Sequence, residues 1–163
     1  MKLQVRITGA EQASADIRAA MHQGLANGIE KLAWTGVGYV QENTPTAFGY
    51  LANGITVDFA GGRNLIATIH ATPPGEKYVL PVETGTRPHF PPITPLMLWV
   101  KQKFGVGDEQ AARSIAFAVA QKIAKRGTKG AFMFQKATEK LVNLGPDVIE
   151  REIAEAIMTA GLA

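Results

Sequence analysis

The chain has 163 residues and a mass of 17.4 kDa, with 46% apolar and 19% charged residues, the make-up of one ordinary globular domain. It contains no Cys, which excludes disulfide frameworks, thiol catalysis and thiolate metal sites, and no apolar run approaches the ~18 residues of a membrane span. A formal charge of +3 is too small to argue for nucleic-acid binding by itself.

Residues 2–8 read as a short strand, with Leu3, Val5 and Ile7 on one face and Lys2, Gln4 and Arg6 on the other. This alternation lacks the apolar stretch of a signal peptide, so the chain is expected to be soluble and to work in the cytoplasm where it is made. A long helical pattern follows over residues 10–43. Ile17, Met21, Leu25, Ile29, Leu32, Gly36 and Val40 fall at steps of three and four and make one apolar stripe. Unbroken, it would span roughly 50 Å at 1.5 Å per residue. Gly24, Gly28, Gly36 and Gly38 each cost up to ~1 kcal/mol there relative to Ala. They mark either a kink, the first of the two readings, or a face where another backbone approaches closely. Pro45 disfavours helical geometry at Thr44 and closes the element.

A hairpin comes next. Ile55, Val57 and Phe59 alternate with Thr56 and Asp58, Gly61-Gly62-Arg63-Asn64 supplies the turn, and residues 65–71 return as the second strand. Thr72-Pro-Pro-Gly75 is a loop. Residues 78–83 are predicted as a third extended segment, an edge strand because Pro81 lacks a ladder donor. Gly85-Thr-Arg-Pro-His-Phe-Pro-Pro92 reads as a stiff, extended arm.

The remainder is helical. Thr94-Pro95 caps and opens a helix to about Phe104, with Leu96, Trp99 and Val100 buried. Asp108 caps a second, whose stripe is Ala112, Ile115, Val119 and Ile123 and whose end is Gly127. A third covers residues 132–144 and is stopped by Gly145-Pro146. Asp147 caps the last, with Ile149, Ile153 and Ile157 one turn apart. The predicted class is α+β in a single domain over residues 1–163. Within it lie the strand and long helix (2–43), hairpin and third strand (55–83), proline-rich arm (84–93) and C-terminal helices (94–160).

Catalysis has little to stand on. His22, His70 and His89 share no helical spacing, and His-Glu-x-x-His is absent. Neither Ser14 nor Ser114 sits in a Gly-x-Ser-x-Gly elbow. Gly127-Thr-Lys-Gly130 follows a helix instead of joining a strand to one, unlike a phosphate loop. The densest polar cluster is Glu83, Arg87 and His89, read as a Glu83–Arg87 ion pair with His89 exposed rather than as a catalytic group. His70 is expected to face solvent and His22 to flank the long apolar stripe. Trp34 and Trp99 read as packing or interface residues, since no aromatic run accompanies the basic residues. No catalytic residue, cofactor or metal is expected.

Charge is unevenly spread. Residues 1–80 balance six basic against six acidic side chains. Residues 113–140 carry Arg113, Lys122, Lys125, Arg126, Lys129, Lys136 and Lys140 against Glu139 alone, a net +6. Residues 141–163 return to −3 through Asp147, Glu150, Glu152 and Glu155 against Arg151. These blocks are solvated helix faces, complementary surfaces of neighbouring copies, or a basic surface near DNA.

Three patterns occur in a telling order. Thr44-Pro45-Thr-Ala-Phe-Gly49-Tyr-Leu51-Ala-Asn-Gly-Ile55 resembles a Pro…Thr-Gly-x-Leu-x-x-Ser-Ile signature that leads into a first hairpin. Tyr78-Val-Leu-Pro-Val82-Glu83-Thr-Gly85-Thr86-Arg87 is similar to Tyr-x-x-x-Val-Glu-x-Gly-Thr. Gly127-Thr-Lys-Gly130-Ala-Phe-Met133-Phe134-Gln-Lys-Ala137 is similar to the glycine-led Phe-Phe-x-x-Ala opening of a C-terminal helix. Together, over roughly residues 1–145, they resemble the neck, or head–tail joining, proteins of tailed bacteriophages, the tail-component and tail-completion family. Departures are Phe48 where the family has Thr, Gly54 where it has Ser, Ala131-Phe132 in place of Arg-Pro, and an acidic helix after Pro146.

The resemblance implies a structural virion protein without catalysis, assembled in the host bacterial cytoplasm. It also implies a hexameric ring at the junction of head and tail. The implied partners are further copies, a head-closure or connector protein, a tail-terminator or tail-tube protein, and DNA passing through a channel, with no membrane. The expected contact element is the arm, Glu83, Gly85, Thr86, Arg87, Pro88, His89, Phe90, Pro91 and Pro92, because a stiff segment loses little entropy on docking. The basic surface at Arg113, Lys122, Lys125, Arg126, Lys129, Lys136 and Lys140 is the second candidate. A tail terminator of the same morphogenesis module is the alternative within the class, and a nucleic-acid-binding module the alternative outside it.

Overall fold

The computed structural model describes residues 1–4, 14–45, 49–61 and 65–162. In chain order they form β1 (Lys2–Gln4), α1 (Ala15–Asn43), α2 (Tyr50–Gly54), β2 (Ile55–Ala60), β3 (Ile66–Ala71), α3 (Glu76–Thr84), β4 (Gly85–Thr86), α4 (Ile93–Phe104), α5 (Glu109–Arg126), β5 (Thr128–Lys129) and α6 (Met133–Thr159). The α+β class expected from the sequence is the class observed.

The expected stripe organises α1. Leu25, Ile29, Leu32, Gly36 and Val40 are buried, and Ala20, Gly24, Gly28, Ala33 and Val37 widen the buried face. The Ser14 hydroxyl accepts from the Ile17 amide at 3.3 Å and caps the helix start, while residues 10–13 lie outside the described residues. At the other end Thr44 turns extended before Pro45, as the steric restriction ahead of proline requires.

The partner of this face is α6, which runs antiparallel to it: Gly24 faces Glu152 and Ile153, Gly28 faces Ile149, and Gly36 faces Leu141. At the far end the Thr44 hydroxyl lies 3.1 Å from Met133 Sδ. A Cβ on Gly24 would stand 2.5 Å from Ile153 Cα and 2.6 Å from the Glu152 carbonyl oxygen, which real side chains do not tolerate. The expected kink is therefore replaced by its alternative: α1 is one continuous helix, and its glycines admit a neighbouring backbone. Near the glycine contact Glu152 is buried at 8% exposure and meets the Lys31 ammonium at 2.8 Å.

Helix α6 corrects a second expectation. Gly145-Pro146 does not stop it and Asp147 does not cap a new helix; residues 133–159 are one element. Pro146 withdraws the amide that would bond the Val142 carbonyl, but Val142, Asn143, Pro146 and Asp147 all face solvent, where water can replace that bond. Buried Leu141 and Ile149, on either side of the proline, hold both halves against α1. Tertiary burial outweighs the local break.

The hairpin forms as expected, with Ile55 opposite Ala71, Val57 opposite Ile69 and Phe59 opposite Ala67. β1 adds antiparallel to the other side of β3, giving the order β1-β3-β2. Ile55, Val57, Ala67, Ile69 and Ala71 are buried and join the core cluster of α1 and α6. Phe59 stays outside, its ring 6.5 Å from that of Trp34. His70 is half-buried rather than freely solvated, with Nε2 2.9 Å from Asp58 Oδ2. Residues 5–8 of the expected first strand and residues 62–64 of the turn lie outside the described residues.

The expected third strand over 78–83 is instead part of helix α3, with Pro81 inside it. Lys77, whose carbonyl loses its donor to Pro81, is exposed, so the helix forms at little cost. The short helix α2 was not anticipated from the sequence.

Helices α4 and α5 pack on one another around Val100, Ala112 and Ala116, a small core separate from the main one. α4 opens at Ile93 behind Pro92, one residue before the expected Thr94 cap, and Thr94 supplies no capping bond. Val100 is fully buried, whereas Leu96 and Trp99 are half-buried. Asp108 caps α5 as expected, accepting from the Ala111 amide at 2.6 Å. The buried line of α5 is Ala112, Ala116 and Ala120, and Ile115 of the expected stripe is exposed. Small side chains let the two helices approach closely, so the seam follows the alanines.

Candidate assembly site

The second and third sequence motifs, some forty residues apart, meet in space. β4 pairs with β5, Gly85 opposite Lys129 and Thr86 opposite Thr128. The chain leaves the body through β4, builds the arm, α4 and α5, and returns through β5, so this two-stranded ribbon is the root of a helical hairpin.

Glycine makes the root possible. Gly85 has φ 79° and ψ −175°, and Gly127 has φ 67° and ψ −160°, a region open essentially to glycine alone. A Cβ on Gly85 would collide with the Thr128 carbonyl oxygen, one on Gly127 with that of Thr86, and one on Gly130 with that of Glu83. The two threonines lock the crossing: their hydroxyls are 3.0 Å apart, and each hydroxyl also accepts the other residue's amide, at 3.0 and 3.2 Å.

Glu83 completes the clasp. Its carboxylate accepts from the Phe134 amide at 2.9 Å and the Gln135 amide at 3.0 Å, so it caps the start of α6. Two charge-assisted bonds at a helix N-terminus, where the dipole also favours an anion, contribute about 1–2 kcal/mol. Its backbone carbonyl takes the Phe132 amide at 3.1 Å and the Val82 carbonyl takes that of Ala131 at 2.8 Å. The expected Glu83–Arg87 ion pair is not formed; the carboxylate is committed to α6 instead. Glu83, Gly85 and Thr86 thus hold the arm in place rather than present a free surface.

Comparison with family models, with curated proteins and with solved structures returned no match. The site therefore stands on its own geometry.

Arg87, Pro88, His89, Phe90 and Pro92 are exposed and Pro91 is half-buried. His89 Nδ1 lies 2.9 Å from the Arg87 carbonyl oxygen, and the Phe90 ring packs edge-on against Phe117 of α5 at 6.0 Å. Beside the arm, an apolar groove of about 540 Å³ runs between α4 and the body. Its walls include Tyr50, Tyr78, Val82, Pro95, Leu98 and Trp99, of which Tyr50, Tyr78 and Leu98 are each more than half exposed. Sequence reasoning missed this groove, because it rests on α3 being a helix. Among the described residues no group of three His, Asp or Glu side chains converges to hold a metal ion, and no helix is long and apolar enough to cross a membrane.

The basic residues are all exposed. Arg113, Lys122, Lys125 and Arg126 lie on α5, Lys129 on β5, and Lys136 and Lys140 on the first turns of α6. Lys140 sits over the Tyr39 ring, 5.9 Å from its centroid. The fold adds Arg87 to this group, since Thr86 and Thr128 are paired.

Proposed function

We propose that the chain is a structural protein of a tailed-phage or prophage virion, part of the neck that joins the filled head to the tail, and that it works by ring-like self-assembly. The observation that carries this reading is the glycine clasp. Two of the three motifs that resemble the neck family, around Glu83 to Arg87 and Gly127 to Ala137, build one mount for a projecting helical hairpin. A rooted hairpin with apolar side chains on its surface and an apolar groove at its base suits protein–protein contact, in which burying such surface is the main driving force. A ring needs two different surfaces on each copy, one docking on the other. The hairpin and the α1–α6 body are two such surfaces.

The test is genetic. A phage or prophage encoding the chain, with this gene removed, is expected to accumulate filled heads and separate tails, and supplying the chain restores joined particles. A chain lacking residues 87–92 is expected to fold but fail to restore joining. Normal yields of joined, infectious particles without the gene would refute the reading.

A further inference from the structure

The fold collects cations at the hairpin root that the sequence scatters over fifty residues. Arg87 follows β4, Lys122, Lys125 and Arg126 end α5, Lys129 lies on β5, and Lys136 begins α6. None of them makes an ion pair with a carboxylate of the described residues. The two acids nearest in sequence, Glu83 bonded to the α6 amides and Glu139 bonded to the Gln135 side-chain amide at 3.0 Å, offset only part of this charge and leave the root net positive. The opposite charge lies at the other end of the same helix. Asp147, Glu150 and Glu155 are exposed on the C-terminal half of α6, with exposed Arg151 among them offsetting part of their charge. Asp16, at the start of α1, borders a groove of about 700 Å³ together with Glu152 and Glu155. Lys136 and Glu155 are separated by about 28 Å of helix at 1.5 Å per residue.

We infer that the basic hairpin root of one copy docks on the acidic end of the α1–α6 pair of the next. This deepens, and rests on, the assembly reading above. Like ends repel, so a two-fold contact of root with root or acid with acid is disfavoured. Root on acid joins two different surfaces: repeated head to tail it closes into a ring when its rotation allows, whereas made twice across a two-fold axis it closes a dimer. A partner of the same sequence is favoured over DNA because this chain carries its own complement, of opposite sign and on the same helix. The electrostatic match fixes register and partner, while apolar surface supplies the rest of the affinity.

The test uses two charge-reversed forms of the full chain, checked for unchanged helicity by circular dichroism. One carries Lys122→Glu, Lys125→Glu, Lys129→Glu and Lys136→Glu; the other carries Asp147→Lys, Glu150→Lys and Glu155→Lys. Native mass at low ionic strength is expected to show wild-type assemblies that dissociate near 1 M salt, where the screening length falls to about 3 Å. Each variant alone is expected to self-associate about a hundredfold more weakly, since every reversed pair turns attraction into repulsion. An equimolar mixture is expected to assemble again, with copies alternating, which also shows that both variants fold. Assemblies that persist in either variant alone overturn this contact while leaving the ring reading standing. A wild type that never assembles overturns both. A wild-type monomer that retards a DNA duplex, and loses that binding on reversal of the four lysines, reassigns the surface to nucleic acid and overturns the inference.

Discussion

Gly24, Gly28 and Gly38 lie on one helix but meet different surroundings, so replacing each by Ala separates helix propensity from packing. Ala in place of Gly inside a helix gains about 0.8–1 kcal/mol. At Gly38 nothing lies within 4 Å of the new methyl, so Gly38→Ala is expected to show that gain unopposed. At Gly28 the methyl would meet the tip of the Ile149 side chain at 2.6 Å, a flexible group that can rotate, so the net effect is expected near zero. At Gly24 it would meet the backbone of α6 at Ile153 and Glu152, at 2.5 and 2.6 Å. Backbone cannot swing aside, and the two helices must part. Overpacking of this kind costs about 1–3 kcal/mol, so Gly24→Ala is expected to lose up to about 2 kcal/mol net of its propensity gain. The Gly38 and Gly24 variants then differ by the overpacking cost, about 1–3 kcal/mol, or roughly 2–12 °C in Tm for a chain of this size. Urea unfolding of the three variants reads the order directly, provided the slope against denaturant is unchanged. Equal stabilisation by all three would refute the antiparallel contact of α1 and α6.

Glu83→Ala strips the cap from α6 and is expected to cost about 1–2 kcal/mol in urea unfolding, with Glu83→Gln losing less because one acceptor oxygen is kept. Val100→Ala opens the separate core of α4 and α5, and hydrogen exchange is expected to speed up over residues 93–126 while the central amides of α1 and α6 keep their protection. Lys31→Met leaves the buried Glu152 carboxylate with Arg151 at 4.0 Å as its remaining ion partner. Because the Lys31 side chain is 55% exposed, the loss is expected to be only about 1–2 kcal/mol by chemical denaturation.

The elements legible in the sequence are those whose signal is local and periodic. The α1 stripe, the β2–β3 alternation, the Asp108 cap and the Gly127 stop each lie within one stretch of chain. Proline misled twice, at Pro81 and at Pro146. In both cases the carbonyl that loses its donor belongs to an exposed residue, Lys77 or Val142, and a helix tolerates proline there. The glycines of α1 were readable as a choice between kink and close approach, but the choice depends on Ile149 and Ile153, more than a hundred residues away. The clasp was half legible. Its motifs were visible separately, but their pairing is a long-range contact. The fate of Glu83 follows from that pairing, because only when β4 meets β5 do the Phe134 and Gln135 amides come within its reach, ahead of Arg87 four residues along.

The central claim is that this chain is built to assemble with copies of itself. Native mass over a wide concentration range at low ionic strength, with negative-stain images of the same samples, tests it most directly. Closed rings whose mass is a whole multiple of the 17.4 kDa chain are the expected result. A monomer at every concentration, with no ring in any image, would contradict it.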